Sequence, residues 1–279
     1  MPEMTSYAHG VPCWADLATP DTDAAKAFYG ELFGWESFDS LAGHDAEGNP
    51  LYYTMFHPAG DENHPVAAMM QLSPDMAQQG MPPTWSSYVS VDDIEVAVEA
   101  AGEAGGQVLM GPMDVTPVDE PTVGRMASFM DPAGAYINAW EPREHIGASL
   151  MFEPGSLCWF ELNLPQGGSQ VADVVPFYSA VFGWEAKDGL EQIENADGTY
   201  TNYTMFMAGE AMAGGGLVIP TDEAPPHWAA YFMVENCEAT HAKALEMGAT
   251  SVVPPTDLPD GGRFAVLIDT QGAVFWIAG

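Results

Sequence analysis

Apolar and polar positions alternate singly over residues 12–18. Trp14, Asp16 and Ala18 fall on one face and Cys13, Ala15 and Leu17 on the other, which predicts a strand. The period then lengthens. Ala24, Phe28 and Leu32 recur at i, i+4 with Ala25 and Tyr29 beside them, which predicts a helix buried along one stripe. Asp21 or Thr22 caps its start, and Gly34 suits the left-handed residue that ends it. Residues 35–50 are polar and predict a short strand at most, then a loop. Residues 51–56 and 66–72 return to strand patterning.

A second unit repeats the order. Residues 85–91 predict a strand, and Asp92-Asp93 caps a helix that buries Ile94, Val98 and Ala101. Residues 108–110, 125–130 and 136–140 predict three more strands, with an acidic loop over 116–121. The first half of the chain therefore reads strand-helix-three strands, twice.

The whole arrangement recurs. Cys13-Trp14-Ala15-Asp16-Leu17 returns as Cys158-Trp159-Phe160-Glu161-Leu162, and the helix end Phe28-Tyr29…Phe33-Gly34-Trp35-Glu36 as Phe177-Tyr178…Phe182-Gly183-Trp184-Glu185. Tyr53-Thr54-Met55-Phe56 matches Tyr203-Thr204-Met205-Phe206, Pro83-Thr84-Trp85 matches Pro226-His227-Trp228, and Gly124-Arg125 matches Gly262-Arg263. Length differences fall between elements, where loops absorb them. An internal repeat of this kind governs the fold assignment. It predicts domains at 1–144 and 156–279, joined by a Pro- and Gly-bearing linker at 145–155.

Across its 279 residues the chain carries 40 acids and only six Lys and Arg, a formal charge of −34. The acids are spread rather than clustered, which predicts a solvated acidic surface adapted to a salty cytoplasm. Such a field repels nucleic-acid backbones and anionic membranes, so neither is an expected partner. With 47% hydrophobic residues a full core can form. No apolar run is long enough to span a bilayer and the start lacks a signal-like segment, so a cytoplasmic location is expected, as monomer or homodimer. Cys13, Cys158 and Cys237 are too few for a disulfide framework.

The repeated unit, closing on Asp131-Pro132-Ala133-Gly134 and Asp269-Thr270-Gln271-Gly272, resembles the vicinal oxygen chelate superfamily. That group holds glyoxalases, bleomycin and fosfomycin resistance proteins, and ring-cleaving dioxygenases. The resemblance covers nearly the whole chain and is nearest to its tandem branch. It implies an α+β fold of four βαβββ modules paired into two glyoxalase-like half-barrel domains. It also implies a metal bound by His and carboxylates from particular strands. The matching positions here are Trp14 and Trp159, Asn138 and Trp276, Ser86 and Ala229, and Met69 and Gly215. None is a His or carboxylate, so neither metal nor cofactor is expected.

Other constellations remain. Asp16 and Glu161 share a face with a Trp and need a partner if turned inward. The repeat-equivalent Arg125 and Arg263 are expected to pair with them, either locking two modules together or facing a ligand. Trp14, Trp85, Trp159, Trp228 and Trp276 are expected as core or as cavity lining, with Tyr88 and Tyr231 adding hydroxyls. Together with Asn138 these residues form the candidate site for a small aromatic or apolar ligand. The leading expectation is a metal-free binding protein. The alternatives are an enzyme, either a metal-dependent lyase or dioxygenase or a metal-free hydrolase or hydroxylase using Asp16 or Glu161 as base, and a scaffold without a ligand.

Overall fold

The computed structural model describes residues 3–78, 80–194, 200–258 and 261–279. The first half runs β1 (Pro12–Thr19), α1 (Thr22–Phe33), β2 (Trp35–His44), β3 (Pro50–Pro58), β4 (Ala67–Gln71), a short α2 (Pro74–Gln78), β5 (Thr84–Ser90), α3 (Ile94–Glu103), β6 (Gln107–Val115), β7 (Gly124–Met130) and β8 (Tyr136–Pro142). The second half runs β9 (Leu157–Pro165), α4 (Val171–Phe182), β10 (Glu185–Glu194), β11 (Tyr200–Ala208), β12 (Ala211–Ile219), β13 (His227–Met233), α5 (Cys237–Glu246), β14 (Thr250–Asp257), β15 (Arg263–Ile268) and β16 (Val274–Ala278).

Each half forms its own eight-stranded sheet. The orders are β2-β3-β4-β1-β5-β8-β7-β6 and β10-β11-β12-β9-β13-β16-β15-β14, so the two modules of one half join edge to edge through β1 and β5, or through β9 and β13. The tandem α+β architecture expected from the repeat is the one observed. In the first half the ends of the sheet also approach: the Val118 N–H donates to the Leu41 carbonyl at 2.8 Å, carrying the acidic loop across the open side.

Local chemistry sets the helices. Asp21 caps α1 by accepting from the Ala24 N–H, and Gly34 ends it at φ 73°. The same ending recurs at Gly183, φ 68°. The polar stretch after α1 departs from expectation. It is a ten-residue strand, β2, paired along β3. As an edge strand with little buried surface it needs no apolar alternation, so its composition resembles that of a loop.

One contiguous core runs through both halves. Helix α1 meets α5 and α3 meets α4, so the helix faces of the two sheets are turned toward each other. Two matching hydrogen-bond chains cross this core. The Trp85 indole donates to the Tyr29 hydroxyl at 3.0 Å, and that hydroxyl donates to Asp269 of the other half at 2.8 Å. The Trp228 indole donates to Tyr178 at 2.7 Å, which donates to Asp131 at 2.7 Å. Each Asp also accepts backbone N–H groups of its own turn, at Ala133 and Ala135 or at Gln271 and Ala273. Burial raises the Asp131 pKa, and the Tyr178 and backbone donors oppose the shift.

Removing one hydroxyl leaves a buried indole N–H and a buried carboxylate oxygen short of a partner, at about 1–3 kcal/mol. Tyr29→Phe and Tyr178→Phe should each lower stability by that amount in urea unfolding while the transition stays single. A change below about 0.5 kcal/mol in both, smaller than a typical hydrogen-bond contribution, would show that these chains do not hold the halves together.

Candidate functional site

The strand registers decide which residues share a face. Leu17 pairs with Trp85, and both are buried against the helices. Asp16 pairs with Ser86 and Trp14 with Tyr88, so these four point to the open face, away from the helices. Tyr88 pairs with Asn138, and Asn138 with Ser128, which adds both to that face. In the second half Trp159, Glu161, Ala229, Tyr231, Val266 and Trp276 are the corresponding residues.

Each open face centres on one carboxyl group held by two tyrosines. In the first half the Trp14 indole donates to Tyr53 at 2.9 Å, and Tyr53 and Tyr88 both donate to Asp16 Oδ2, at 3.0 and 2.8 Å. In the second half the Trp159 indole donates to Tyr203 at 2.7 Å. Tyr203 donates to Glu161 Oε2 at 3.0 Å and Tyr231 to Oε1 at 2.7 Å. Burial pushes the Asp16 pKa up to about 6, against the opposing effect of the Tyr88 and Tyr53 hydrogen bonds. Burial likewise raises Glu161, with Tyr231 and Tyr203 opposing.

The expected pairing of these acids with arginine does not occur. Arg125 binds Glu95 at 2.7 Å and Asp114 at 2.9 Å, and Arg263 binds Asp257 at 2.6 Å and also Glu238. The reason is strand parity. Gly124 leaves room for the Trp140 ring on the open face, so its neighbour Arg125 points to the other side, where α3 offers Glu95. Trp85 and Trp228 are also displaced from the expected lining: they belong to the helix face and the core chains described above. At the last of the presumed metal positions, Met69 faces the helices, and Ala68 stands opposite Asp16 as Gly215 stands opposite Glu161.

The two open faces differ in character. The first is sealed and polar at its floor. Trp14 and Asp16 are each 3% exposed and Asn138 is fully buried. Ser128 donates to Asn138 Oδ1 at 2.7 Å and Tyr136 donates to Ser128 at 3.0 Å. In the second half Val266, Trp276 and Val274 take the places of Ser128, Asn138 and Tyr136. They form an apolar cluster separate from the main core, with Ala229 and Tyr231 and with Trp159 and Phe264 packed against it. The His227 ring lies 5.4 Å from Trp276 at 32°. Trp159, Glu161, Tyr203, His227 and Phe264 all keep some exposure. The second face therefore presents aromatic surface beside an acid residue, Glu161, that keeps some exposure, whereas Asp16 on the first is buried.

Tyr53 and Tyr203 are site residues that strand patterning did not single out. Their signal was the Tyr-Thr-Met-Phe echo itself. A tyrosine retained at one repeat position, two strands away from the acid and on the same face, is long enough to reach across the small residue between them, Ala68 or Gly215.

The buried Asp16 carboxyl has a pH consequence. With the folded pKa near 6 and the ordinary value near 4, the folded state holds a proton that the unfolded chain has released. The stability tied to this proton is present at low pH and is lost as pH rises toward about 6, by about 3 kcal/mol for two pK units. Asp16→Asn keeps an acceptor for the tyrosines and cannot ionise. Relative to the parent protein it should be more stable at pH 7 than at pH 4 by about 1–3 kcal/mol in urea unfolding. An equal difference at both pH values would contradict the shift.

Comparison with known proteins fits this geometry. The chain is 39% identical over 275 residues to a putative glyoxylase, CFP32, of Mycobacterium tuberculosis, covering 99% of this chain and 97% of the relative. It is 35% identical over 280 residues to the anthracycline biosynthesis protein DnrV of Streptomyces peucetius, covering 98% and 94%. Its fold matches that of a Mn(II)-bound glyoxalase from Novosphingobium aromaticivorans, with a TM-score of 0.61 at 17% identity, covering 97% and 82%. The donors at the positions where the family holds a metal are not those of a metal site. Trp14, Ala68, Ser86 and Asn138 in one half, and Trp159, Gly215, Ala229 and Trp276 in the other, do not fit a divalent cation. Among the described residues no group of three or more His, Cys, Asp or Glu is arranged to hold a metal ion. The family profile for the Glyoxalase/Bleomycin resistance protein/Dioxygenase superfamily matches residues 12–138 and 167–277, and the chain belongs to that superfamily.

Proposed function

We propose that the protein binds a flat, largely aromatic small molecule on the open face of its second half, with Glu161 as the polar anchor and no metal ion taking part. One observation carries the reading: Glu161, a residue that keeps some exposure and whose carboxyl group is fixed by Tyr203 and Tyr231, stands in an apolar aromatic surface that includes Trp159, Phe264 and His227. Aromatic rings stack on such a surface, and a ligand hydroxyl can donate to the carboxylate. The relative named for anthracycline biosynthesis supports a ligand of this shape. The first half keeps the same acid–tyrosine device behind a sealed floor and serves as structural support.

A second reading follows from the raised Glu161 pKa. A carboxyl group shifted toward neutrality and touching the ligand can take and return a proton, which makes the same face an enzyme site with Glu161 as general base.

Quinizarin, a planar dihydroxyanthraquinone, tests the binding reading. In buffered molar salt it should quench tryptophan fluorescence with a saturable 1:1 profile. Glu161→Gln should weaken binding about tenfold through loss of one charge-assisted hydrogen bond. Trp159→Leu should weaken it about three- to tenfold through lost stacking. The counterpart change Asp16→Asn should leave it unaltered. Unsaturable quenching, or equal losses from Asp16→Asn and Glu161→Gln, would contradict the proposal.

A further inference from the structure

The chain following β8 folds back over the start of β1. The Ala148 N–H donates to the Cys13 carbonyl and the Ser149 N–H to the Pro65 carbonyl, each at 2.8 Å. The backbones approach so closely at Gly147 that a Cβ there would lie 2.4 Å from the Cys13 oxygen. The His145 ring then covers Trp14 edge-on at 4.7 Å. This packing is why Trp14 is almost wholly buried. Residues 145–149, expected as part of a linker, are a cover for the first half.

The second half has no such cover among its described residues. The registers Asp16↔Ala68 and Glu161↔Gly215 make Cys158 and Met212 the counterparts of Cys13 and Pro65. At that place lies a crevice of about 270 Å³, walled by Met4, Tyr7, Met151, Phe152, Phe160 and Met212, with Trp159 among its lining. None of its lining residues carries a charge, in a chain with 40 acids. Phe152 holds a left-handed φ of 62° there, a conformation that costs free energy for a residue with a side chain. Met212 and Phe152, at the crevice, are 63% and 53% exposed.

We infer that this crevice is an apolar subsite that takes a neutral alkyl or short acyl group. Its position joins it to the ring-binding face. Trp159, one of the residues lining the crevice, carries the indole that donates to Tyr203, which in turn donates to Glu161. The ligand class is thereby narrowed to a flat ring system bearing an uncharged alkyl arm. That extension rests on the proposed function, whereas the subsite itself does not. The methionines suit an arm of variable shape, because their unbranched side chains repack around it.

The probe for the subsite alone is 1-hexanol, followed by ¹³C-methyl methionine NMR of the full chain. Saturable shifts of Met4, Met151 and Met212 are expected. Ala211→Trp, at an exposed position on the crevice wall, should reduce the affinity at least about tenfold, whereas Glu161→Gln should leave it unchanged. The probe for the joined site is 2-hexylquinizarin, which should bind at least about tenfold more tightly than quinizarin, a gain that Ala211→Trp removes. Shifts that fail to saturate, or that persist unchanged in Ala211→Trp, would overturn the subsite. A tighter hexylquinizarin complex whose gain survives Ala211→Trp would overturn the joining. If hexanol binds as expected while quinizarin does not bind, the ring-binding proposal fails and the subsite stands.

Discussion

A buried carboxyl group needs donors, and this chain has almost no cations to supply them. The four acids at the centre of its structure are instead met by tyrosine hydroxyls, each backed by a tryptophan indole or a neighbouring tyrosine. A neutral donor stabilises a carboxylate less than a guanidinium does, so at Asp16, Asp131 and Glu161 desolvation prevails and the pKa rises. The arginines remain outside these networks, where Glu95, Asp114 and Glu141 share Arg125, and Glu238 and Asp257 share Arg263.

The same device has two uses that duplication has separated in space. On the helix faces Asp131 and Asp269 tie each half to a tyrosine of the other, so the core of one half is completed by the other. On the open faces Asp16 and Glu161 remain within their own half. Once the halves were locked back to back, one open face was free to become a filled support and the other an aromatic surface. Asn138 against Trp276 and Ser128 against Val266 mark that divergence.

Much of this was legible in the sequence because repetition compares the chain with itself. The Cys-Trp-x-acid-Leu and Phe-Tyr…Phe-Gly-Trp-Glu echoes fix the modules, and Gly34 and Gly183 fix the helix ends. The polarity of β2 concealed it, since an edge strand buries too little to alternate. The arginine assignment failed by one residue of parity: Gly124, not Arg125, meets the open face. The tyrosine donors were visible as an echo, but a hydroxyl two strands away finds its acid only through register, which periodicity does not supply. The cover over Trp14 has no counterpart in the repeat and could not be inferred from it.

The two acid–tyrosine faces are unequal, and in the proposed function only the second receives a ligand. Indole ¹⁵N–¹H spectra report on it directly, since Trp14 and Trp159 are counterparts with separate resonances. Addition of quinizarin should move the Trp159 and Trp276 indole signals and leave Trp14 in place. Movement of Trp14 with Trp159 fixed, or equal movement of both, would contradict the account.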